Sequence, residues 1–149
     1  MNRILVSALV ITVLLSGCAA PAKEGLEVRE AWARPAPQGG NGAIYFMIEN
    51  HSSETQEMIG VDSDIAQAVE MHESQMDGDV MEMHQLESVS LGPGAAVTFE
   101  PGGLHIMLIG LKQDLKVGDE VQVTLNFANA QEIRVTVPIQ DAPASGTGH

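Results

Sequence analysis

QAVEMHESQMDGDVMEMHQL, residues 67–86, reads as two strands joined by a tight turn. QAVEMHES and VMEMHQL are short and alternate in polarity, and the QMDGD between them carries an Asp77-Gly78 turn of hairpin type. A helical reading of DSDIAQAVEMHE, capped by Asp62 or Ser63, is too short to compete. Working outward, the same period of two recurs, with turn residues roughly every eight to twelve positions. LEVREAWARP is a strand stopped by Pro35 and Pro37, and PAPQGGNG is a loop. AIYFMIEN and QEMIGVDS are strands, AVTFE is bracketed by LGPGA and EPGGL, and HIMLIGL is an apolar strand. VQVTLNFA and EIRVTVPI close the chain as a hairpin across NAQ. Heptads and internal repeats are absent. Many short strands without a convincing helix predict an all-β, antiparallel sandwich or barrel. With 149 residues, 44% of them apolar and 18% charged, the chain suits one globular domain with a core of its own.

The first residues are set aside from that domain. MNR carries one positive charge, and ILVSALVITVLL is too short an apolar run to span a bilayer. It ends in LLSGCAAPAKEG, which resembles a bacterial lipoprotein signal with Leu15-Ser16-Gly17-Cys18 as lipobox. The expectation is a signal peptide over 1–17, a lipidated Cys18 with a tether over 18–26, a β-sandwich domain over 27–140 and a disordered tail over 141–149. Cys18 is the single cysteine, so the mature domain would hold no disulfide, no metal thiolate and no cysteine nucleophile. From residue 18 onward six Lys/Arg stand against twenty Asp/Glu, a net charge of −14. Such a surface lacks the basic face that nucleic acid requires. It also argues against docking on anionic lipid through charge, leaving the lipid anchor as the membrane contact. It suits attraction of cations, although solubility alone explains it equally well.

Methionine is the unusual component. Of eight in the chain, Met71, Met76, Met81 and Met83 fall in one short window with His72 and His84. Methionine fills cores, so packing is the simpler reading of that window. The pleat of LHIMLIGL sharpens the question. Leu104, Ile106 and Leu108 share one face, and His105 and Met107 the other, about 7 Å apart along the strand. Both side chains can lean onto one ion at about 2.0–2.3 Å. His72 and Met83 lie on the two arms of the hairpin. The full spacing is His72-x10-Met83-x21-His105-x-Met107, a pattern that this composition matches by chance roughly once in a few thousand.

That spacing resembles the H-x10-M-x21-H-x-M signature of the periplasmic CuA copper chaperone family, PCuAC, met here without a gap. AWARPAP, GAIYFMIEN, VEMHE, PGGLHIMLIGLK and GDEVQVTLNF resemble the same family, over residues 26–139. The resemblance implies a cupredoxin-like Greek-key β-sandwich that binds one Cu(I) through His72, Met83, His105 and Met107. It implies delivery to the CuA centre of cytochrome c oxidase, with Sco-type thiol proteins as co-workers, in the extracytoplasmic envelope.

The donor chemistry agrees. Thioethers are soft and select Cu(I), and they need no deprotonation where thiols would oxidise. Zinc is disfavoured by thioether donors. A blue-copper carrier is disfavoured because its site needs a cysteine. Met71 and Met81 read as packing or as a supporting shell, His84 and His51 as solvated, Trp32 and Tyr45 as core or rim aromatics. Glu70, Glu73 and Glu82 read as strand-solvating acids able to steer cations. Many members of that family end in a tail rich in His and Met; the tail here is short and holds only His149, so no second Cu(II) segment is expected. Copper sequestration, or a structural lipoprotein whose Met and His fill the core, are the alternatives. An enzyme is not, because no nucleophile–base–acid arrangement stands out.

Overall fold

The structure is a computed structural model, and it describes residues 24–142. The signal segment, Cys18, most of the tether and the last residues of the tail therefore lie outside the described residues. Ten strands are present among them: β1 (Leu26–Ala33), β2 (Gly42–Asn50), β3 (Gln56–Asp62), β4 (Ala66–Asp77), β5 (Val80–Leu86), β6 (Val89–Leu91), β7 (Ala96–Phe99), β8 (Leu104–Leu111), β9 (Glu120–Phe127) and β10 (Ile133–Pro138). No described helix is long and apolar enough to cross a membrane.

The strands pair into two sheets, one of order β1-β2-β7-β8-β4-β5 and one of order β10-β9-β3-β6. Alternation explains why they face each other. Ile44, Phe46 and Ile48 of β2, Ile106 and Leu108 of β8, and Val121, Val123 and Leu125 of β9 are buried in one core, while Glu120 and Gln122, on either side of Val121, are exposed. Phe46 and Phe99 stack inside it at 4.4 Å between ring centres. The all-β sandwich expected from the period of two is what forms. Its ladders are antiparallel apart from two parallel bridges, Phe99 with Leu104 and Ala33 with Ile139.

Three local features differ from the sequence reading. β6 was not expected, because three residues leave no period to detect. In the β4–β5 hairpin Asp77 pairs with Val80, so the central turn residues are Gly78 and Asp79 rather than Asp77 and Gly78. Gly78 alone takes a positive φ, 62°, which is the type II′ pattern. On β1 one extra residue sits between the pairs Arg29–Met47 and Trp32–Tyr45, with Glu30 at φ 54°. This bulge brings Trp32 beside Tyr45, ring centres 4.8 Å apart, on the outer face of the larger sheet.

Candidate metal centre

The outer face of the larger sheet carries the residues of interest. β4 and β8 run antiparallel, and His72 is the direct partner of His105. Glu70 is the partner of Met107, and Met71 of Ile106. Met71 and Ile106 point into the core. The pleat therefore sends Glu70, His72, His105 and Met107 to the opposite side. The two imidazole centres are 5.8 Å apart, with the rings inclined at 44°. On β5, at the sheet edge, Met83 is the partner of Ser74, two residues from His72 on the same face.

Met83, His105 and Met107 line one cleft of about 410 Å³, together with Met81, Ser74 and Tyr45. Arg34–Ala36 wall one side, and Pro101 and Gly102 form another part of the lining. The Arg34 guanidinium lies 5.8 Å from the Trp32 ring and 5.9 Å from the Tyr45 ring, held over the aromatic pair. His72 stands beside this cleft rather than in its lining. Three of the four expected residues thus converge on one cavity, and the fourth adjoins it through the His72–His105 pair. The site occupies a sheet face near the start of β8, not simply an open strand end.

The histidines are chemically distinct. His105 is 6% exposed, and its Nδ1 lies 3.0 Å from the carbonyl oxygen of Gly103. A carbonyl only accepts, so Nδ1 carries the hydrogen and the neutral ring keeps its lone pair on Nε2. A backbone acceptor fixing one ring nitrogen while the other is left to bind is the usual support of a metal-ligating histidine. His72 Nε2 lies 2.7 Å from the Glu70 carboxylate. By the same reasoning the neutral ring keeps its lone pair on Nδ1, and that atom is buried without a hydrogen-bond partner. An orphaned buried acceptor of this kind calls for an explanation, and coordination of a cation would supply one.

The neighbours separate cleanly. Met71 is core, 3% exposed. Met81 lies on the outer face and lines the cleft with Met83, a placement that packing does not explain. His84 is paired with Glu73 on the other face, and its Nε2 is 3.6 Å from Glu82. His51 is not simply solvated. Its Nε2 lies 3.1 Å from both Glu27 and Glu49, cross-strand partners on β1 and β2. Arg29 also reaches both carboxylates, at 3.1 and 3.3 Å, so this cluster is an ion-paired patch. Sequence reading missed the Glu70–His72 bond. Its signal is the i, i+2 spacing of VEMH, which puts both side chains on one face.

A family model described as "Putative lipoprotein LpqE-like" matches residues 26–139. "Putative lipoprotein Lxx21020" of Leifsonia xyli subsp. xyli is 32% identical over 153 residues, covering 94% of this chain and 92% of that one. Among solved structures, the copper-bound PCuAC domain from PmoF2 superposes with a TM-score of 0.66 at 23% identity, covering 78% of this chain and 93% of that domain. The apo PCuAC domain from PmoF1 gives 0.65 at 27% identity, covering 79% and 94%. The sandwich is thus that of the PCuAC domains, cupredoxin-like as the family resemblance implied, and the chain belongs to the LpqE-like lipoprotein family.

Proposed function

We propose that this protein is an extracytoplasmic copper chaperone that binds one Cu(I) through His72, Met83, His105 and Met107 and passes it on by ligand exchange. The observation that carries this reading is the pairing of His72 with His105 on a face shared with Met107 and Met83, next to a buried nitrogen without a partner. Two imidazoles and two thioethers form a soft, neutral donor set that favours Cu(I) over harder divalent ions. The fold shared with a copper-bound PCuAC domain supports the same cargo. Thioethers bind more weakly than thiolates, which suits a carrier. Met83, 56% exposed, is the donor an acceptor's ligand would displace first.

The role is binding and transfer without catalytic turnover. In this reading residues 1–17 are a signal peptide, and acylated Cys18 holds the domain at a membrane surface of the envelope. The acceptor is the CuA subunit of cytochrome c oxidase, with Sco-type proteins in the same assembly. These finer assignments rest on the motif resemblance.

Titration of the purified domain with Cu(I) against a competing chelator is the first test. One tight equivalent is expected, lost in His105→Ala and in Met107→Ala. Unaltered binding in both variants refutes the site. A deletion strain tests the acceptor: low oxidase activity under copper limitation is expected. Copper sensitivity with a normal oxidase would replace delivery by sequestration.

A further inference from the structure

The described methionines fall into three environments. Met58 and Met71 are core fillers, 0% and 3% exposed, and Met47 and Met107 are half-buried. Met76, Met81 and Met83 are 61%, 54% and 56% exposed, all on the β4–β5 hairpin. A side chain that exposed packs against little, so the core-filling explanation that serves Met58 fails here.

Register gives the three an order. Met76 and Met81 are direct cross-strand partners one step from the turn, and Ser74 and Met83 are the next same-face pair inward. Opposite residues place their Cβ atoms about 4.5–5.5 Å apart, a gap two flexible thioethers can close around one ion. Same-face neighbours along β5 are about 7 Å apart. Met81 and Met83 both line the cleft that holds His105 and Met107. Sulfur thus runs from the hairpin tip into the candidate centre. Asp77, Asp79 and Glu82 flank the tip in sequence and favour a cation there, while the one basic side chain in the lining of the adjoining cleft is Arg34, held over the Trp32–Tyr45 pair.

We propose that Met76 and Met81 form a second, weaker soft-metal station at the hairpin tip, where a monovalent d10 ion is first captured before it moves to the cleft. The station deepens the copper-carrier reading and rests on it. Two thioethers without an imidazole bind loosely, so the ion is passed inward by exchange of one sulfur for the next. The station sets the rate of loading, while the inner residues set the affinity.

Ag(I), soft and stable to oxidation, is the probe. In protein carrying carbon-13-labelled methionine methyls, a first equivalent of Ag(I) is expected to move Met83 and Met107. Excess is expected to move Met76 and Met81, with Met47 unmoved as internal control. The exposed pair can be replaced without disturbing the core. Met76→Leu, at the member of the pair that does not line the cleft, should leave the equilibrium Cu(I) affinity unchanged and measurably slow loading from a chelated Cu(I) donor. An unchanged loading rate overturns the station, as do Met76 and Met81 methyls that move no more than Met47. Failure of Met83 and Met107 to respond is a different result: it removes the inner site.

Discussion

At the scale of single residues, the candidate centre depends on which nitrogen each ring presents. Glu70 fixes His72 by accepting from Nε2, and the main-chain oxygen of Gly103 fixes His105 by accepting from Nδ1. If His72 coordinates through its orphaned Nδ1, Glu70 is an orienting partner, and removing it lets the ring turn. Loss of such a supporting bond typically costs roughly ten- to a hundredfold in metal affinity. Glu70→Leu is accordingly expected to weaken Cu(I) binding by about tenfold, read by chelator competition. Unchanged or tighter binding would mean that Nε2 is the donor and that Glu70 competes with the metal. The His/Met spacing was legible in the sequence because it is a pattern of side chains. The choice of nitrogen was not, since it follows from a carboxylate and a carbonyl placed by the pleat and the turn.

At the scale of elements, the cleft is shaped by a strand pair and by the Arg34–Asn41 segment that follows β1. That segment is tied back by Gln38, whose backbone N–H donates to the Asp114 carboxylate at 2.9 Å and whose side-chain amide donates to the Lys112 carbonyl at 2.9 Å. The hydrogen bond from Gln38 holds the Asp114 carboxyl below its ordinary value, with Lys116 adding to the same effect. A lowered folded-state pKa means that ionised Asp114 contributes stability at any pH above the ordinary carboxylate value. That contribution fades as pH falls through the folded value. The protection factor of the Gln38 amide, its exchange rate measured against the intrinsic rate at each pH, should therefore fall on acidification through the lower carboxylate range, and Asp114→Asn should remove this response. A Gln38 amide equally protected throughout would show that the tie does not hold the segment. Most strands were legible because alternation over six or more residues is hard to produce otherwise. β6 was too short to show a period, and the one-residue shift of the hairpin turn lies in backbone geometry. The tie between Gln38 and Asp114 joins loops far apart in sequence, and no local pattern announces it.

At the scale of the whole molecule, the two faces of β8 divide between the core and the candidate centre. Leu108 points inward and is fully buried, while Met107 points outward and lines the cleft. Truncating a buried leucine costs its transfer energy plus the cavity it leaves, about 2–5 kcal/mol. Truncating Met107 leaves a space open to the cleft, so the cost to folding should be about 1 kcal/mol or less. Leu108→Ala is therefore expected to lower the denaturation midpoint strongly while the folded fraction still binds one Cu(I). Met107→Ala should shift its midpoint far less and lose the tight equivalent. Chemical denaturation and chelator competition on the same two proteins check both halves. The reverse assignment would place the functional side chains in the core, as in a structural lipoprotein whose methionines merely pack. A single strand can serve both purposes because side chains alternate at a period of two. The same alternation lets the hairpin carry Met71 into the core and Met76, Met81 and Met83 out of it. Residues of identical chemistry thus take opposite roles according to the parity of their position.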